Sequence, residues 1–187
     1  NALEVREALH VLRGGGPREL REVCLTLGSQ MLLLAGAAGS SQEARRHLED
    51  LLAGGRALAK MRQFIAAQGG DPAVVDRPEL LPAAGEQVAV TAPAGGYISA
   101  VQARLVGEAA LLLGAGRLTK ESPIDLAAGI ELKKRRGHYV NVGEPLAVFH
   151  VNDRTNLEVA RERFLAAYNL ATEPPAPQPL VYEIIDR

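Results

Sequence analysis

Two hydrophobic periodicities divide the chain. Through the first 67 residues apolar positions recur every three or four residues, and beyond residue 86 they alternate over several short stretches. In the first segment Val5, Ala8, Leu9 and Leu12 form one apolar stripe, after Asn1 as a helix N-cap. Leu3 and Val11 lie on a second side, so this helix, over 2–13, is expected to be sandwiched rather than to lie on a surface. Gly14-Gly-Gly16 ends it and Pro17 suits the first turn of the next. A second helix, over 18–35, presents Leu20, Val23, Leu27, Met31 and Leu34 as its packing residues. Ser40-Ser41 followed by Gln42-Glu43 caps a third helix that ends at Gly54-Gly55, and a fourth runs over 56–67 to the stop at Gly69-Gly70.

The proline-rich stretch 71–84 reads as a connection with a short helical turn at most. After it the period changes. Residues 87–101 alternate and break at Pro93 and Gly95-Gly96, which predicts two short strands around a turn. An Ala- and Leu-rich helix is expected over 103–113. Strands follow at 129–132 and 144–151, joined through the basic turn Lys133-Lys-Arg-Arg-Gly137 and the segment 138–143. Asp153 or Thr155 is placed to cap a helix reaching about residue 170, and a final strand, 180–185, follows a proline linker. The pattern is α/β in class, α+β within this stretch.

The composition fits an ordinary globular domain: 187 residues, 47% apolar, 23% charged and a net charge of −1. That charge gives no electrostatic reason to expect nucleic acid or an anionic membrane as partner. Apolar runs such as Met31-Leu-Leu-Leu-Ala-Gly are too short to span a bilayer, and the chain reads as cytoplasmic. Cys24, the only cysteine, allows no intrachain disulfide and sits among apolar helix positions, where a buried, inert thiol is expected.

Candidate chemistry is sparse. Gly14-Gly-Gly-Pro17 is a weak phosphate loop, because Pro17 removes an N–H donor and the spacing matches neither the Walker nor the dinucleotide pattern. Gly114-Ala-Gly-Arg117 reads as tight packing after a helix C-terminus. The cations at 133–136 have no interleaved aromatics to stack bases and read as a solvated tip. His10, His47, His138 and His150 lack zinc-ligand spacing, and no two carboxylates are paired for acid–base work. These residues name no catalytic group.

Ordered motifs carry more information. Asn-Ala-Leu-Glu-Val-Arg-Glu at the start, Cys24-Leu-Thr-Leu-Gly-Ser-Gln, Gln68-Gly-Gly-Asp71 with Val75-Asp76, Gly114-Ala-Gly-Arg117, Lys120-Glu-Ser122 with Ile124-Asp125, and Gly143-Glu-Pro-Leu-Ala-Val148 occur at family-like spacing. In this the chain closely resembles the C-terminal part of the thymidine and pyrimidine-nucleoside phosphorylases. The resemblance implies reversible phosphorolysis of uridine or thymidine to the free pyrimidine and a pentose 1-phosphate. It implies residues 1–80 as the helical C-terminal part of the large α/β domain, and 81–187 as an α/β-hammerhead, barrel-sandwich-like domain. The chain opens at Asn1, and the family's phosphate loop (Lys-His-Ser-Thr-Gly-Gly) and its Arg, Ser and Lys base readers are not found in it. It is therefore expected to be a C-terminal portion, inactive alone, whose partners are the upstream part of the same enzyme, a second copy in a homodimer, phosphate and a pyrimidine nucleoside. No organic cofactor is implied. The resemblance also implies a structural potassium ion, held by main-chain oxygens and a glutamate that falls on Glu7. At about 100° per residue Glu7 lies between Leu3 and Val11, where a semi-buried carboxylate needs a compensating charge. The other reading is a biotinyl- or lipoyl-like carrier, or a non-catalytic structural module. Ala92-Pro-Ala-Gly-Gly-Tyr-Ile and Gly137-His-Tyr-Val-Asn-Val-Gly resemble the two halves of such a domain, with Lys120 the lysine between them.

Overall fold

The computed structural model describes residues 1–117 and 119–185; Leu118, inside the 114–125 motif, lies outside them, as do Asp186 and Arg187. The chain divides into two compact units, Glu4–Leu81 with Pro179–Arg187, and Asn1–Leu3 with Pro82–Gln178.

The first unit is helical: α1 (Ala2–Leu12), α2 (Arg18–Leu34), α3 (Ser41–Ala53) and α4 (Arg56–Ala67), then 3-10 turns at Pro72–Val75 and Pro78–Leu80. Both expected sides of α1 are covered, with Leu9 and Val11 buried. Arg6 donates through Nη2 to the Leu81 carbonyl at 2.9 Å, and Arg13 donates to that of Val75, so α1 and the residue after it satisfy backbone acceptors of the segment that follows α4. The Ser40 hydroxyl caps α3 by accepting from the Glu43 N–H at 3.2 Å, while the Glu43 carboxylate reaches back to the Gly39 N–H at 2.8 Å.

Helix α2 packs differently from its sequence pattern. Leu27, Met31 and Leu34 are 58%, 69% and 90% exposed, and Leu25 and Ser29 are the buried positions. The reason lies at Gly28. A Cβ there would sit 2.8 Å from Leu48 Cδ1, so the glycine lets α3 approach closely and draws that face of α2 inward. The α2–α3 contact is tied by a fork in which Arg45 donates to both Glu22 oxygens at 2.7 Å. The hydrogen bond from Arg45 is the main cause that holds the Glu22 carboxyl below its usual range. Cys24 is exposed, contrary to the buried thiol expected, because it borders an open apolar cavity between the helices rather than packed side chains.

The second unit is α+β, as expected. Its elements are β1 (Glu86–Thr91), β2 (Gly96–Val101), α5 (Ala103–Ala110), β3 (Gly129–Leu132), β4 (Tyr139–Val140), β5 (Pro145–Val151), α6 (Leu157–Leu165) and β6 (Tyr168–Ala171). Two three-stranded antiparallel sheets have the orders β1-β5-β3 and β4-β2-β6, so the strands predicted around Pro93 belong to different sheets. Val88 pairs with Phe149 and Gly129 with His150 in one; Gly96 pairs with Val140 and Ile98 with Leu170 in the other. Five of the seven β5 residues are buried, as befits a central strand.

Two further expectations fail here. The helix predicted to residue 170 ends at Leu165, and residues 168–171 pair with β2 instead; Tyr168 donates its hydroxyl to the Lys134 carbonyl at 3.0 Å, and burial pushes its pKa up to about 12. Residues 180–185 form no strand.

The core of this unit is aromatic at its centre. Phe149 and Phe164 are fully buried and meet edge-to-face at 5.3 Å, with Ile98, Val140, Leu146 and Val151 around them. No helix among the described residues is long and apolar enough to cross a membrane.

Candidate functional site

The 114–125 motif is built on a helix that ends badly and is then clamped. Helix α5 runs into a wide π-turn, Leu111–Ala115, inside which Gly114 takes φ 93° and ψ 3°. That left-handed conformation reverses the chain at little cost only for glycine. The far end of the motif returns to the same point, where the Asp125 N–H donates to the Gly114 carbonyl at 2.9 Å. Asp125 then accepts from the Ala127 N–H through Oδ1 at 2.9 Å, and from Asn152 Nδ2 through Oδ2 at 2.7 Å. Asn152 in turn accepts from the Gly85 N–H at 2.8 Å. One carboxylate and one amide thus bind the loop to the residue before β1 and the residue after β5. Between the clamped ends, Ser122 and Thr119 join through their hydroxyls at 2.9 Å, and Arg117 and Lys120 are exposed.

Partial burial is the largest single influence on Asp125 and opposes its ionisation. The hydrogen bonds from Asn152, Ala127 and Ala128 together outweigh it and hold the carboxyl below its ordinary value. A depressed folded-state pKa contributes stability above the unfolded value, near 3.9, that is lost as pH falls through the folded value. Asp125→Asn is accordingly expected to cost on the order of 1 kcal/mol at neutral pH, a cost that shrinks as acid protonates the native carboxyl. Melting temperatures of both proteins from pH 7 to pH 2.5 check this; a gap independent of pH would refute it. Among its described residues the motif holds no nucleophile–base pair, and its chemistry is that of a shaped, cation-bearing loop. Lys120 lies in a turn outside any strand, unlike the hairpin lysine of a carrier domain.

Other candidates are placed apart. Glu7 is on α1 and exposed, not semi-buried, because Val11 turns inward while the carboxylate projects outward. Among the described residues it forms no ion pair, and no cluster of three His, Cys, Asp or Glu residues exists there to hold a metal alone. The basic turn is more engaged than a solvated tip. Lys133 pairs with Glu131, Lys134 with Glu144, and Arg136 donates to the carbonyls of Ser99 and Ala176 at 3.0 and 2.9 Å. The neighbouring acids were the sequence signal for this neutralisation. His10, His47 and His138 are exposed, and His150 is buried with Nε2 3.9 Å from Glu131 Oε2. In the helical unit an apolar cavity of about 370 Å³ opens between helices, lined by Val11, Leu12, Leu20, Cys24, Leu48 and Leu52 among others.

Comparison with known proteins gives this geometry a context. Residues 97–171 match the model of the pyrimidine nucleoside phosphorylase C-terminal domain. The chain is 45% identical to the pyrimidine-nucleoside phosphorylase of Bacillus subtilis (strain 168), over 99% of its own length and 42% of that protein's. It is 43% identical to the one from Geobacillus stearothermophilus, with the same coverage. Identity is 48% over 82% of the chain to that of Staphylococcus epidermidis, of which 36% is covered. The chain thus spans less than half the length of these relatives.

Proposed function

Because this chain carries the C-terminal domain of the pyrimidine-nucleoside phosphorylase family, we propose that it is the C-terminal portion of an enzyme that phosphorolyses uridine or thymidine. In that reaction a phosphate oxygen bonds to the anomeric carbon of the pentose while the glycosidic C–N bond breaks. The bonding pair leaves with the pyrimidine, which takes up a proton, and the sugar becomes a pentose 1-phosphate. The observation that carries this reading is the 45% identity to a named phosphorylase, sustained over 99% of the chain. The residues that orient phosphate and stabilise the leaving base belong to the part of the enzyme beyond this chain. Residues of this chain supply the stapled 114–125 loop, the packed core beneath it, and the helices. The test is the full-length protein with phosphate and either nucleoside: the reading requires equimolar free base and pentose 1-phosphate, and absence of the base would overturn it.

Three finer features belong to the same proposal. The full-length enzyme is a cytoplasmic homodimer, and it holds a potassium ion to which Glu7 contributes one oxygen ligand. A hard cation takes several oxygen donors, so an exposed carboxylate on α1 is suited to complete a shell supplied mostly from elsewhere. Bound there, the ion supplies positive charge and a fixed arrangement of backbone oxygens. Glu7→Gln in the full-length enzyme is expected to raise the potassium concentration needed for thermal stabilisation roughly tenfold. Melting temperature titrated with potassium chloride against a sodium control measures this. An unchanged midpoint would leave Glu7 a surface acid.

A further inference from the structure

The described end of the chain has the composition of a strand but pairs with no other backbone among the described residues. Leu180, Val181, Tyr182, Ile184 and Ile185 surround a single charge at Glu183; three are β-branched and one is aromatic, a composition that favours a pleated, covered backbone. Yet Tyr182 and Ile185 are 78% and 76% exposed, and among the described residues the backbone of 180–185 forms no hydrogen bond to other backbone. This segment groups with Glu4–Leu81, a unit of four helices whose described residues include no strand. In the same unit the Leu27–Met31–Leu34 stripe of α2 is open. Helices with an open apolar face and a strand-forming segment without a sheet are one layer of a helix-on-sheet arrangement.

Resting on the reading that this chain is the C-terminal portion of a longer enzyme, we infer that residues 180–185 become a β-strand by joining the edge of a sheet formed by the rest of that polypeptide. Alternation puts Leu180, Tyr182 and Ile184 on one face and Val181, Glu183 and Ile185 on the other, so both faces are largely apolar. That is the pattern of a strand covered on both sides by packed layers. A second copy is the poorer occupant, because a two-stranded ribbon of such segments is marginal in water and leaves both faces bare. The sheet edge offers unpaired N–H and C=O groups for main-chain pairing and pockets for alternate side chains. The relatives have room for it, since the chain spans only 36% to 42% of their length.

Hydrogen exchange on the full-length enzyme decides the matter. Amides of 181–185 are expected to exchange at least about 100-fold slower than an unstructured peptide, and Tyr182→Pro, which removes a ladder donor, is expected to abolish that protection and lower the melting temperature. Random-coil exchange in the unsubstituted enzyme overturns the inference even if the proline variant fails to fold. Protection that fades on dilution as the copies dissociate assigns the segment to a second copy and also overturns it. Phosphorolysis by the same preparation reports separately: a protected strand without base release removes the proposed function alone, and base release with an unprotected segment removes the strand alone.

Discussion

Replacing Phe164 with Ala is expected to destabilise the chain by about 3–5 kcal/mol, a large part of the stability of a domain this size. Phe164 is fully buried on α6, and its ring meets Phe149 of β5 edge-to-face at 5.3 Å and Tyr168 of β6 at 5.0 Å. It therefore touches the central strand of one sheet and an outer strand of the other. Truncation removes apolar contact on both sides and leaves a cavity the two sheets cannot close without breaking register. Phe64→Ala is the internal control, since that ring is 57% exposed and its loss is expected to cost under about 1 kcal/mol. Thermal or urea unfolding of the two variants tests the contrast. Equal losses would mean that the aromatic cluster does not organise this unit.

The parts of the fold legible in the sequence are those decided within one helical turn or one strand. Ser40 and Glu43 announce the start of α3, and Gly54 its end, because caps are local hydrogen bonds. The apolar run ending at Val151 announces a buried strand. The sequence is poorer where a distant element chooses between two local options. In α2 the stripe through Leu27 and Met31 is the more hydrophobic, yet the face through Leu25 and Gly28 is buried because only glycine admits Leu48 so closely. Residues 168–171 continue a helical pattern in sequence, and strand pairing to β2 overrides it. The Asp125–Asn152–Gly85 clamp joins positions far apart in the chain, and no spacing rule reveals it. At the candidate site the motif was readable and its mechanics were not. For Glu7 the helix was read correctly and the burial was not.

The chain by itself is expected to release no detectable uracil or thymine, at least about 10⁴-fold less than a full-length family enzyme. Phosphorolysis needs phosphate held in line with the anomeric carbon and charge stabilisation of the departing base, effects that together supply most of such a rate enhancement. The cations of this chain are otherwise engaged or scattered: Arg6 and Arg13 on backbone carbonyls, Arg45 on Glu22, Lys134 on Glu144. Arg117 and Lys120 stand exposed on the clamped loop, with no nucleophile–base pair among the described residues of the motif.

The most direct measurement is therefore one assay run side by side on residues 1–187 and on the full-length polypeptide, with excess phosphate and either uridine or thymidine, following free base and pentose 1-phosphate together. Both products are expected in equal amounts from the full-length protein and neither from the chain alone. Turnover by the isolated chain at a rate near that of the full-length protein, or no turnover by the full-length protein, would contradict this.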